Sequence, residues 1–264
     1  MADLYKEALS EDTNIWGATY GSDSRGNGSF ESPFRTLEKC IGAITSTKKT
    51  VCLMPGAYTM ATATDITVSG TKIIGVGGGV SIDGTACTTY CLKTVFGVTS
   101  GTKGLTIENI SLEHAALVGI QIDNVGATAK IVLTMKNVEF DATSGNSLDI
   151  DRAGATGQAV RVYATNCTFE GPINMVVKDH GDRLRLKGCT LDLGIVTDNG
   201  AYTAEILLQS CIFKVNTITG GASQQTVYFA GSVTNTAADP DVYAGAIAAD
   251  VQTQSVVICD FDAS

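Results

Sequence analysis

Five stretches of this chain share one alternation of apolar and polar positions: LTIENISL (105–112), LTMKNVEF (133–140), VYATNCTF (162–169), LRLKGCTL (184–191) and ILLQSCIF (206–213). Each reads apolar, any, apolar, any, then Asn, Gly or Ser, then apolar, any, apolar. Leu105, Leu133, Val162, Leu184 and Ile206 form the first apolar column, and Ile107, Met135, Ala164, Leu186 and Leu208 the second. After the break come Ile110, Val138, Cys167, Cys189 and Cys211, then Leu112, Phe140, Phe169, Leu191 and Phe213. Period two on each side of the break predicts a strand with one buried face. The phase slips by one at Asn109, Asn137, Asn166, Gly188 and Ser210. Asn and Gly tolerate the left-handed backbone region, so one such residue bends the chain while the apolar side stays inward.

These bends recur at intervals of 28, 29, 22 and 22 residues, and no Asn-Gly or Asp-Gly pair joins two runs directly, as a two-residue hairpin would require. A repeat of this length is the coil of a solenoid, which buries its apolar face only by stacking on its neighbours. The cysteines of KGCTLDL (187–193), TNCTFEG (165–171) and QSCIFKV (209–215) then occupy one inward column, interchangeable with Ile110 and Val138. Buried thiols behave as small hydrophobes. Zinc would favour close pairs such as C-x-x-C over one thiol per coil, and Cys87 and Cys91 have no second pair near them.

Ahead of the repeats, YGSDSRGNGSFESPFRTLEKCIGAITS (20–46) passes from turn residues to a helix signal over 33–45. Ser32 is placed to cap, Pro33 suits the first turn, and Leu37, Cys40, Ile41 and Ile44 form one stripe. TVCLMPGAY (50–58) reads as a strand broken at Pro-Gly. The run GSDSRGNGSFESPFRTL followed by a helix, a strand and PGAY resembles the opening of the right-handed parallel β-helix (pectate-lyase-like) superfamily, which includes polysaccharide lyases and hydrolases, bacterial surface proteins and phage tailspikes and virion proteins. The likeness covers about residues 16–85 by motif and 104–213 by repeat. It implies an all-β fold, a single right-handed parallel β-helix over 15–264, with the helix plugging its N-terminal end. Residues 1–14 form an arm, TVYFAG (226–231) reads as a strand, and 234–264 is a looser closing region in which an alanine-rich stretch (234–254) precedes SVVICDFDA (255–263).

Composition agrees with strands and turns: 29 glycines, four prolines and 17% charged residues. A net charge of −9 argues against nucleic acid or an anionic membrane as partner. The first residues show no basic region followed by an apolar run, and no stretch is long and apolar enough to span a membrane. A chain made in a cytoplasm keeps its eight cysteines reduced.

Chemistry of the superfamily would need a cluster outside the coil, with paired carboxylates for hydrolysis or an acidic calcium patch and a base for elimination. The candidates are Asp149, Asp151 and Arg152, and Asp179, His180, Asp182, Arg183 and Arg185. The second group loosely echoes the His-Gly and Arg-x-Lys elements of polygalacturonase-like enzymes, crowded here into a few residues and without their aspartate pair. Its plainer reading is a solvated loop ahead of Leu184. His114 reads as a loop residue, and VGGGV (76–80) lacks the Lys and helix of a phosphate loop. No catalytic, cofactor or metal residue is therefore assigned. The expectation is a non-enzymatic phage virion protein made in the host cytoplasm, a trimeric capsid decoration (cement) protein on the major capsid protein, with a host-surface glycan as an open further partner. The rival is a carbohydrate-active lyase, hydrolase or receptor-binding tailspike using Asp149, Asp151, His180, Asp182 and Arg183.

Overall fold

The computed structural model describes residues 13–96, 101–114, 118–123, 130–142, 145–150, 159–176, 179, 181–197 and 204–214 with side chains, and the backbone alone at 129, 198, 218–220, 225–230, 234–235 and 255–259. The chain is nearly all β, and every strand pairing among these residues is parallel. One sheet runs from Asn14–Gly17 through Thr50–Leu53, Thr71–Gly75, Gly101–His114, Ala129–Ala142, Val160–Thr165, Arg183–Lys187, Ala204–Gln209 and Gln225–Ala230 to Ser255–Cys259. A second takes Thr64–Ile66, Tyr90–Thr94, Val118–Ile122, Asn146–Ile150, Ile173–Val176, Ile195–Asp198 and Ile218–Gly220 in chain order. The chain alternates between them, so each strand pairs with its counterpart one circuit away.

The register places the predicted columns side by side. Leu133 pairs with Leu105 and Val162, and Met135 with Ile107 and Ala164. Val162 pairs with Leu184, Leu184 with Ile206, and Phe169 with Leu191. All these side chains are buried. Phe140 and Phe169 stack with centroids 5.2 Å apart and planes 13° from parallel. The phase-slip residues hold positive φ: 58° at Asn109, 52° at Asn137, 53° at Asn166, 60° at Gly188 and 52° at Ser210. The side chains of the three asparagines form a short ladder, Asn137 Nδ2 donating to Asn109 Oδ1 at 2.8 Å. A left-handed residue lets the chain turn a corner without moving an apolar side chain outward.

The helix is shorter than the sequence signal. It spans Leu37–Gly42, with Thr36 as N-cap in place of Ser32, the Thr36 hydroxyl accepting from Lys39 N–H at 3.2 Å. Pro33 and Phe34 are held extended because Phe34 N–H donates to Trp16 O and Phe34 O accepts from Ala18 N–H. Asp23 then fixes the start, accepting from the Arg35 and Thr36 N–H groups at 2.8 and 3.1 Å and from the Thr36 hydroxyl at 2.9 Å. Leu37, Cys40 and Ile41 are buried as the stripe predicts. TVCLMPGAY divides as expected into Thr50–Leu53 and Gly56–Thr59. Asn14 belongs to the first strand and not to an arm; the arm at 1–12 lies outside the described residues, as do 236–254 and 260–264 of the closing region.

Candidate functional site

Among the described residues, Asp182, Arg183 and Arg185 do not lie in a solvated loop. Asp182 is fully buried, its Oδ1 accepting from Val160 N–H at 2.8 Å and its Oδ2 from Asp179 N–H at 3.1 Å. It ties the start of one strand to the turn before the next. Arg183 and Arg185 lie in the strand Arg183–Lys187 and both reach Glu205 on the neighbouring strand, Nε to Oε2 at 2.9 Å and Nη2 to Oε1 at 3.0 Å. Asp149 stands apart on the second sheet, nearly buried and accepting from Asn174 Nδ2 at 2.7 Å. Asp151, Arg152 and His180 lie outside the described residues. His114, expected in a loop, is instead the fully buried end of the strand Gly101–His114. It packs over Gly119, where a Cβ would meet Nε2 at 3.0 Å.

The second sheet carries a polar row that the sequence pattern did not mark: Asp65, Lys93, Gln121, Asp149 and Asn174, in register across neighbouring strands. Tyr90 donates to Asp65 Oδ1 at 2.7 Å, and burial together with that bond pushes its phenol up to about 12. Lys93 Nζ lies 2.6 Å from Asp123 Oδ2 and 5.3 Å from the Tyr90 ring centroid. A groove of about 570 Å³ opens beside them, with Tyr90, Gln121, Asn146 and Asp149 in its wall.

The cysteines keep to the core. The seven with described side chains are free and buried. Cys189 Sγ donates toward Ala164 O at 3.6 Å, and Cys211 Sγ toward Leu186 O at 3.4 Å, each a carbonyl of the preceding circuit. Burial pushes the Cys40, Cys52 and Cys91 thiols up to about 12. In the column the neighbouring Cys189 and then burial push the Cys167 and Cys211 thiols up. No group of three His, Cys, Asp or Glu side chains suited to a metal ion occurs among the described residues.

The left-handed bends divide the outer surface of the first sheet by charge. On the strands before the bends, Arg161 lies beside Arg183, Tyr163 beside Arg185 and Thr165 beside Lys187. Lys136, Lys130 and Lys72 continue this face on the earlier strands, and its carboxylates are Glu108 and Glu205. Arg185 lies over the Tyr163 ring, 5.9 Å from its centroid. Among the described residues, Lys72, Lys130, Lys136, Arg161 and Lys187 have no carboxylate partner within 4.0 Å. After the bends the sign reverses. Asp83, Glu113 and Asp141 are in direct register, and Glu170 and Asp192 continue the column through the bonds from Glu170 N–H to Phe140 O and from Asp192 N–H to Phe169 O. Glu170 is pushed up by burial and by the adjacent Asp141. Lys214 ends the column, its Nζ 2.8 Å from Asp192 Oδ2.

Comparison with known protein families, with curated proteins and with solved structures finds no match to this chain.

Proposed function

We propose that this chain is a right-handed parallel β-helix serving as a non-enzymatic structural protein of a phage virion. In this reading it is a homotrimeric capsid decoration (cement) protein, made in the host cytoplasm and seated on the major capsid protein. Parallel pairing from circuit to circuit and a left-handed residue at each corner support the coil. The helix Leu37–Gly42, whose Glu38 carboxylate accepts from Ala61 N–H at 2.7 Å, is the element that closes its N-terminal end.

One observation carries the choice of a structural over a catalytic role. Three of the described candidates for acid, base and charge stabilisation are engaged in holding the fold: Asp182 bonds two main-chain N–H groups, and Arg183 and Arg185 share Glu205. A general acid or base must reach a substrate proton, and a carboxylate with both oxygens accepting from buried main chain is not free to do so. The step to a virion rests on the resemblance of the opening motif. A coil of this kind, repetitive along its length, suits a shell surface, and a trimer matches the local threefold positions of an icosahedral lattice.

Light scattering on the purified protein tests this reading, with an expected mass near three times the 27.4 kDa chain. Capsids of its own phage should retain it at a fixed copy number, and removal of residues 1–12 should weaken retention without unfolding the coil. A monomer that never binds capsids would overturn the proposal. Cleavage of a polysaccharide from an acidic and capsular panel, lost when Asp149, Asp151, His180, Asp182 and Arg183 are replaced by alanine in a variant that still folds, would put the carbohydrate-active reading in its place.

A further inference from the structure

The division of charge at the bends suggests how copies of this chain meet. We propose that the basic face of one copy docks against the acidic column of the next, so that a head-to-tail contact of opposite charges closes a ring about an axis parallel to the stack of circuits. The inference rests on the homo-oligomer of the preceding section and identifies its interface.

The argument is one of complementarity and period. Both surfaces belong to the same circuits, on either side of the residues that hold φ between 52° and 60°. The two charge ladders therefore repeat with one spacing, the separation of neighbouring strands at about 4.8 Å. When two copies stand side by side with their stacks parallel, cations and carboxylates meet circuit by circuit over several levels. A tilted copy loses that match after one or two levels. The two surfaces are different patches, so the contact is heterologous, and a heterologous contact either closes a ring or grows without end. Rotation about an axis parallel to the stack keeps every circuit level with its counterpart and closes.

The charges are available for this. Lys136 and Lys187, two circuits apart on the basic face, are exposed, as are Glu113 and Asp141 on the column. A polyanion is the competing occupant of the basic face, but the chain carries −9 overall, which opposes the approach of a long polyanion and leaves the acidic column without a partner. A second copy satisfies both surfaces at once.

Charge reversal tests it. Lys136→Glu with Lys187→Glu, or Asp141→Lys with Asp192→Lys on the column of the same two circuits, sets like charges opposite one another and should weaken assembly by at least about tenfold. The variant carrying all four changes restores opposite charges and should assemble again. Light scattering on a dilution series reads the mass, and circular dichroism confirms that each variant keeps its fold. The wild-type assembly should also loosen between about 0.1 and 1 M NaCl, as screening shortens from roughly 10 to 3 Å. A trimer indifferent to salt and to both pairs of reversals overturns this interface and leaves the trimer standing. A salt-sensitive assembly of another copy number, broken by either pair and restored by the four together, upholds the interface and overturns the trimer. A wild-type monomer at all concentrations overturns both. Release of the wild-type assembly by single-stranded DNA or dextran sulfate in place of NaCl, with stable polyanion binding that both Lys136→Glu and Lys187→Glu abolish while reversal of the acidic column leaves assembly intact, also overturns the proposal.

Discussion

Replacing Asp182 separates a structural carboxylate from a catalytic one. Its two oxygens accept from Val160 N–H at 2.8 Å and Asp179 N–H at 3.1 Å, and the side chain is fully buried. Asp182→Ala leaves both donors without an acceptor. Each buried, unsatisfied donor costs about 1–3 kcal/mol, more where the lost partner was charged, so the pair sums to roughly 3–5 kcal/mol. At roughly 2–4 °C per kcal/mol for a domain of this size, the melting temperature should fall by about 6–20 °C. Asp182→Asn retains one acceptor and turns a donor toward the other N–H, so its loss should be intermediate. Arg183→Ala is the control: its pair with Glu205 is partly exposed, with side-chain exposures of 34% and 26%, and such pairs contribute about 0–1 kcal/mol. Thermal and urea unfolding followed by circular dichroism give the comparison. If Asp182→Ala melts within about 2 °C of Arg183→Ala, a gap below 1 kcal/mol, the structural assignment of Asp182 is wrong.

Three further outcomes follow from the same packing. Cys189→Val should cost on the order of 1 kcal/mol, because Val138 already fills that column, whereas Cys189→Asp buries a charge among apolar neighbours and should prevent folding or cost several kcal/mol, both read by urea unfolding. Asn137 holds φ 52° and donates to Asn109, so Asn137→Ala should lose about 1–2 kcal/mol, while Asn137→Gly, free of the Cβ clash, should lose less; equal losses would refute the role given to the left-handed corner. Glu170 has a raised pKa in the fold, first through burial and then through Asp141. Its contribution is therefore present below its unfolded pKa and lost as pH rises through the folded value. Glu170→Gln should raise the melting temperature at neutral pH and change it little in acid, and a variant less stable than wild type at neutral pH would contradict the shift.

The columns and the corners were legible in the sequence because both are local. A half-buried strand needs period two, and a bend that preserves the inward face needs a residue tolerant of positive φ, so Leu105 through Phe213 could be aligned without knowing what they touch. Ser210 shows the limit of residue type alone: it holds φ 52° although serine is not a usual choice there, and only its place in the repeat revealed it. The second sheet left no comparable signal. In Asn146–Ile150 the last four residues are all buried, and in Val118–Ile122 all but Gln121, so alternation is erased and nothing distinguishes these short runs from loops.

Tertiary structure also decided what each charge does. Asp182 looked like a loop residue because its partners, Val160 and Asp179, are main-chain groups brought to it by stacking, one of them 22 residues away. His114 was placed in a loop because the strand around it exceeds the eight-residue template. Pro33 and Ser32 carried a plausible helix start, but the main-chain bonds of Phe34 to the first strand and the three bonds of Asp23 moved it to Thr36. The separation of basic from acidic surface is likewise invisible in a net charge of −9, since it depends on which side of a left-handed residue each side chain falls and on what lies beside it in the next circuit. The one-dimensional pattern states which residues point inward; the stacking of circuits determines which outward residues become neighbours, because those neighbours are separated by a whole turn of chain.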